Sequence, residues 1–346
     1  MYSIFILFIL IFINFNVLAI DTKAIEAIVY DYNTKEILFE KNGDKKIAPA
    51  SMTKIMTTYV VFDRIKNSNL TIQDKCIISS KAYKMGGSRM FVEINEKVSI
   101  SDLLRGIIIQ SGNDASVAIA ECLSGTEEDF TKLMNNYSNK LSLNNTNFIN
   151  SSGWPNENHY STVKDLALLS AAIIRDFPEL YVYFNEKSFT YNGIRQPNRN
   201  TLLNDLIGVD GLKTGFTRKS GWGIAASALK ENRRIIVVIN GANSSRSRAI
   251  ESEKLINWAY RETSENKILS KGQIIKQVDV WLGSKPNINL IIENDFVTIV
   301  SYEQIKSIKS TIEYEKPISA PIKKGDKLGK MIIEISGKKN IEIPLI

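Results

Sequence analysis

Residues 47–65 read IAPASMTKIMTTYVVFDRI, and the fold can be worked outward from this stretch. Pro49 precedes a run in which Ile55, Met56, Tyr59, Val60 and Ile65 recur on one side at helical spacing. The spacing predicts a long helix that begins close to Ser51. At its start Ser51 and Lys54 stand three residues apart, so both side chains lie on one face, about one turn apart. A helix N-terminus favours negative charge developing on the serine oxygen. A lysine desolvated there loses basicity, which makes the pair a nucleophile beside its base with no histidine required.

On the N-terminal side, residues 23–41 alternate apolar and polar around a turn at Asn33-Thr34, which predicts a hairpin. On the other side, residues 101–123 read as two helices broken at Ser111-Gly112-Asn113, where glycine and asparagine favour a turn. Further helices fit 126–142, 163–175 and 247–260, and strands fit 222–229 and 233–240 about the turn Lys230-Glu231-Asn232. After Tyr260 the texture changes to short apolar runs such as IIKQVDVWL and FVTIV, separated by Gly, Pro, Asn and Lys. The reading is an α+β chain: an antiparallel sheet flanked by helices over residues 20–262, then a small all-β domain over 263–346.

Composition narrows the function. With 346 residues, 44% apolar and 23% charged, the chain is ordinary globular protein, long enough for two domains, and neither disordered nor collagenous. The formal charge of +7 suits an anionic partner. No basic stripe with interleaved aromatics is present, so nucleic acid is not expected. The single histidine, His159, excludes a poly-histidine metal site and leaves one candidate for a Ser–His–Asp triad. Neither metal nor cofactor is expected. Cys76 and Cys122 allow at most one disulfide; the strand-like KCIIS and the helical run around Cys122 make free, packed thiols the expectation. Met1 to Ala19 carries no charged side chain, and Ile4 to Ile13 is continuously apolar. That run is too short for a spanning helix and, followed by Val17-Leu18-Ala19, predicts a signal peptide cut after Ala19. Export would permit a Cys76–Cys122 bridge.

An S-x-x-K alone carries little weight, because it recurs at Ser161, Ser227, Ser264 and Ser336. Order and context give it meaning. Ser111-Gly112-Asn113 falls in the expected interhelical loop, and Lys213-Thr214-Gly215 enters a strand region. This ordered set is the one known from penicillin-binding proteins and class A β-lactamases. With APASMTKIMT, LLRGIIIQSGNDASVAIAE, GIRQPNRN, VDGLKTGFT and RAIESEKLINW, the mature chain resembles the low-molecular-weight penicillin-binding proteins that are serine D-alanyl-D-alanine carboxypeptidases, peptidase family S11.

The resemblance implies a penicillin-binding/β-lactamase-like transpeptidase fold with a helical subdomain, followed by that family's β-rich C-terminal domain. It implies an exported, periplasmic enzyme of peptidoglycan metabolism, at most in peripheral contact with the outer face of the inner membrane. The substrate would be a stem peptide ending in D-Ala-D-Ala, with β-lactams as covalent inhibitors. Ser51 would be acylated, Lys54 would take its proton, and Ser111 would relay a proton towards the leaving D-alanine. Asn113 would hold the substrate amide. Lys213 and Thr214, in the strand turned by Gly215, would bind the terminal carboxylate with Arg248, or failing that Arg246. The N–H groups of Ser51 and Phe216 would form the oxyanion hole. His159 is expected to orient a loop. Two departures stand out: the sequence closes on the strand-like Glu342-Ile343-Pro344-Leu345-Ile346 with no basic amphipathic tail, and nothing resembles the loop glutamate that class A β-lactamases use for deacylation.

Overall fold

The computed structural model describes residues 20–204 and 208–346, so the expected signal peptide lies outside the described residues. The chain opens with a hairpin, β1 (Glu26–Asp31) and β2 (Ile37–Lys41), as the alternation predicts. A 3₁₀ turn at Ala50–Thr53 runs straight into α1 (Lys54–Asn67). Then come β3 (Lys75–Ile77), α2 (Ser80–Tyr83), β4 (Lys97–Ser99) and α3 (Ile100–Arg105). A π turn at Gly106–Gln110 extends α3, and Ser111, at φ 68°, breaks the rod before α4 (Asn113–Ser124). The helices α5 (Glu127–Lys140) and α6 (Val163–Asp176) follow, each started by a threonine whose hydroxyl accepts the N–H three residues on. Next are the small hairpin β5 (Ser188–Tyr191) and β6 (Ile194–Pro197), the long strands β7 (Val209–Thr217), β8 (Gly221–Lys230) and β9 (Arg233–Ala242), and α7 (Ser245–Glu262).

The principal sheet has the order β2-β1-β9-β8-β7, antiparallel at every pair. Both of its faces are covered, which is why β1 is buried at all six positions. Ala27 and Val29 point to one side with Ile235, Val237 and Ile239, against Leu255, Ile256 and Ala259 of α7. Ile28 and Tyr30 point to the other with Ile236 and Val238, into a larger core built on Met52, Ile55 and Val60 and on α3 to α6. The molecule is thus layered as helix, sheet and helical subdomain, and β7 forms the sheet edge beside the turn that carries Ser51.

The remaining chain is β10 (Ser264–Leu269), β11 (Ile274–Trp281), β12 (Asn287–Ile291), β13 (Phe296–Val300), α8 (Tyr302–Lys306), β14 (Lys309–Tyr314), β15 (Ile318–Ser319), β16 (Gly329–Glu334) and β17 (Ile341–Leu345). These strands form small sheets around a separate core of Leu290, Ile292, Val300, Ile333 and Leu345.

The expectation for the cysteines is corrected. Cys76 lies in β3 and Cys122 in α4, as their local patterns predict, but they are joined in a disulfide with Cα atoms 5.5 Å apart. Cys76 is buried and Cys122 is exposed, so only one of them behaves as a packed residue. Strand and helix face each other across 46 residues of sequence, a relation that neither local pattern contains.

Candidate active site

The site is built where three elements meet. The 3₁₀ turn brings Ser51 to the surface of a cleft of about 1080 Å³, while the following turn draws Lys54 fully inside. Lys54 Nζ donates to Ser51 Oγ at 3.1 Å, to Asn113 Oδ1 at 2.7 Å and to the Ser152 carbonyl at 2.6 Å. Its pKa is brought down to about 7, chiefly by burial and in part by the charge of Arg199, against the carboxylates of Asp114 and Glu127, which raise it. A neutral amine is therefore accessible near neutral pH, within hydrogen-bond reach of a serine hydroxyl.

The junction after α3 supplies the second group. Ser111 is buried at a left-handed position, a conformation that a non-glycine residue holds only when its surroundings impose it. Asn113 opens α4; besides accepting from Lys54, its amide donates to the Gly86 carbonyl at 2.8 Å. Asp114, fully buried, accepts from the N–H groups of Met90, Phe91 and Ala115 and so locks this junction to the neighbouring loop.

The third comes from β7. A Cβ on Gly215 would stand 2.8 Å from the Pro49 carbonyl, so only glycine lets the strand lie against the turn of Ser51. This close approach brings Lys213 and Thr214 to the site, both buried. Burial, reinforced by the charges of Lys54, Arg199 and Arg248, holds Lys213 well below the usual lysine range. Arg248, in the first turn of α7, is buried too, and its pKa falls to about 10 through burial and the nearby Arg199. One of its terminal nitrogens donates to the Arg199 carbonyl at 3.2 Å, but its buried Nε–H has no protein partner. Glu251 is bonded to Thr22 and the Lys23 N–H, and Arg246 is exposed, so of the two arginines Arg248 is the buried one, near enough to Lys213 for its charge to act on that lysine.

Ser51 occupies the first turn of its helix, where N–H groups have no intrahelical acceptor, and Phe216 lies on an edge strand whose alternate N–H groups face outwards. His159 ties Thr53 to the loop before it. Nδ1 accepts from the Ile149 N–H at 3.2 Å, so Nε2 carries the proton and donates to Thr53 Oγ1 at 2.8 Å. Burial and the charge of Lys54 drop its pKa to about 4, so this is a neutral, loop-orienting histidine.

Sequence reasoning missed the Ser152 carbonyl, because a main-chain acceptor leaves no residue signature. It is aimed by its neighbours: Glu127 accepts from the N–H and hydroxyl of Ser151, Thr57 Oγ1 donates to the Ser151 carbonyl, and Asn150 accepts from Gly153 and Trp154. Gly153, at φ 78°, passes so close to the Ala50 carbonyl that a Cβ would stand 1.8 Å from it. Among the described residues no cluster of metal-ligating side chains occurs.

Residues 14–244 match the peptidase S11 family, described as D-alanyl-D-alanine carboxypeptidase. This chain belongs to that family. Residues 264–346 match the C-terminal domain of penicillin-binding protein 5. The chain is 39% identical over 336 residues to D-alanyl-D-alanine carboxypeptidase DacC of Escherichia coli (strain K12), covering 95% of this chain and 84% of that protein. The fold is similar to penicillin binding protein 5 from Haemophilus influenzae, with a TM-score of 0.83 at 37% identity over 95% of this chain and 98% of that one. It is also similar to penicillin-binding protein D2 from Listeria monocytogenes in its ampicillin-bound form, with a TM-score of 0.64 at 30% identity over 69% and 98% of the two chains.

Proposed function

We propose that this S11 peptidase removes the terminal D-alanine from peptidoglycan pentapeptides through an acyl-enzyme on Ser51. The observation that carries the assignment is the buried Lys54 ammonium site, depressed to about pKa 7 and bonded to a hydroxyl at the cleft wall. Neutral Lys54 takes the Ser51 proton as Oγ attacks the carbonyl between the two D-alanines. The N–H groups of Ser51 and Phe216 receive the developing oxyanion. Collapse expels D-alanine, whose nitrogen regains the proton from Lys54 by way of Ser111, and water then hydrolyses the ester with Lys54 again as base. Lys213, Thr214 and Arg248 hold the terminal carboxylate; the unpartnered Nε–H of Arg248 supports this, since a guanidinium fork matches a carboxylate. Asn113 spends one amide N–H on the Gly86 carbonyl and accepts from Lys54, which leaves its second N–H to hold the substrate amide.

β-Lactams acylate the same serine. The Cys76–Cys122 bridge supports export to an oxidising compartment, here the periplasm, where the enzyme serves cell-wall biogenesis and cell shape. Among the described residues no helix is long and apolar enough to cross a membrane. A hold on the membrane's outer face through the net charge of +7 alone would be released by a salt wash. The assignment is tested by incubating the protein with a defined muropeptide and with a penicillin. Mass spectrometry should show loss of one alanine from the pentapeptide and one penicillin adduct on the Ser51 peptide. Wild-type adduct levels in Ser51→Ala would contradict it.

A further inference from the structure

The cleft continues past Ser51 along the wall formed by the β7–β8 turn, where two cations stand exposed. Arg218 and Lys219 are exposed, line the same cleft as Ser51, and form no ion pair among the described residues. The turn that presents them is closed by Thr217 and Ser220, whose hydroxyls lie 2.6 Å apart while the Ser220 N–H donates to Thr217 Oγ1 at 3.0 Å. Other charges on the cleft walls do not neutralise the pair. Glu26 is occupied by Lys45 Nζ at 2.8 Å and by the Asn240 amide at 3.0 Å, and Lys46 adds a further cation over the Tyr160 ring. Glu157 is the remaining acid of the lining.

The register along β7 says which part of a bound peptide meets these cations. This step rests on the proposed function: the terminal carboxylate at Thr214 and the scissile carbonyl at the Phe216 N–H. From carboxylate to carbonyl the substrate runs antiparallel to β7, in the direction 214 to 216. One residue further, about 3.4 Å on at strand rise, β7 ends at Thr217 and the turn that carries Arg218 and Lys219 begins. The residue preceding the penultimate D-alanine is the diamino acid of the stem peptide, so its side chain is the one brought to Arg218 and Lys219. We infer that these two residues select stem peptides whose third residue bears a free side-chain carboxylate, a diaminodicarboxylic acid, over those with lysine there. A carboxylate meets a guanidinium fork, whereas a bare ammonium meets the like charges of Arg218 and Lys219.

The test uses two pentapeptides identical except at the third residue, diaminopimelate in one and lysine in the other. With wild-type protein, kcat/KM for D-alanine release should favour the diaminopimelyl peptide by about two- to fivefold, the size of an exposed ion pair, and the gap should narrow at high salt. Arg218→Ala with Lys219→Ala should erase the gap, and Arg218→Glu with Lys219→Glu should invert it. Penicillin, which lacks the stem peptide, should acylate all these proteins at similar rates. Equal kcat/KM for the two peptides in the wild type, or a preference that survives charge reversal, would overturn the inference while leaving the proposed function intact. Failure to release D-alanine from either peptide, with no penicillin adduct on Ser51, would remove the proposed function and this inference with it.

Discussion

The catalytic body and the trailing β module use the same kinds of residue under opposite conditions. In the body, β1 and most of β9 are buried along their length, and two lysines, Lys54 and Lys213, are drawn inside with them. In the module, strands such as β11 bury few positions, every described lysine is at least partly exposed, and the core is small. A lysine in the module is a solvated charge; in the body burial lowers its pKa, because a thick, double-faced core removes the water that would stabilise the ammonium. The two parts meet at a polar contact. Glu36, in the β1–β2 turn, accepts from Thr298 Oγ1 at 2.8 Å, from the Ile299 N–H at 3.0 Å and from Lys338.

The largest way to break this contrast is to restore a permanent charge inside the body. Lys54→Arg keeps the cation and abolishes the base, and should lower kcat for D-alanine release by about a thousandfold or more. A variant retaining most of wild-type kcat would make Lys54 a structural residue.

Next in size is the loop that supplies the Ser152 carbonyl. Gly153→Ala forces a Cβ against the Ala50 carbonyl at a left-handed position, and should destabilise the body by about 3 kcal/mol in denaturant titrations, with penicillin acylation slowed as well. The same substitution at Gly272, also left-handed but with open space around it, should cost about 1 kcal/mol and leave acylation unchanged.

Cys76→Ser with Cys122→Ser should lower the stability of the helical subdomain by about 2–4 kcal/mol. Wild-type protein in reducing buffer should show the same loss, and the double variant should no longer respond to reductant. The smallest effect is expected at the contact between the two parts. Glu36→Ala removes an acceptor shared by three donors and should cost the module about 1–2 kcal/mol, with kcat unchanged. A matching loss of turnover would mean that the module supports the site directly.

Much of this was legible in the sequence because it is local. Helical spacing found α1 and α4 to α7, and the order of three short boxes singled out Ser51, Lys54, Ser111, Asn113 and Lys213 as candidates among several chance copies. Hydrogen bonds then join Ser51, Lys54 and Asn113 directly. What stayed hidden is long-range or main-chain. The pairing of β1 with β9 spans some two hundred residues, and the Cys76–Cys122 bridge depends on β3 facing α4. The choice between Arg246 and Arg248 turns on which side of α7 is buried. The Ser152 carbonyl is set by Glu127, Thr57 and Asn150, none of which belongs to a recognisable box.

The central claim is that burial makes Lys54 a base near neutral pH. It is tested most directly by the pH dependence of the second-order rate constant for penicillin acylation of the wild-type protein. The free lysine ammonium cannot accept the Ser51 proton, so the rate should fall as pH drops through the folded-state pKa. The account predicts an acid limb with an apparent pKa near 7 and a plateau above it. A limb at about 10.4, the value of a solvated lysine, or a rate that stays flat between pH 5 and pH 9, would contradict it.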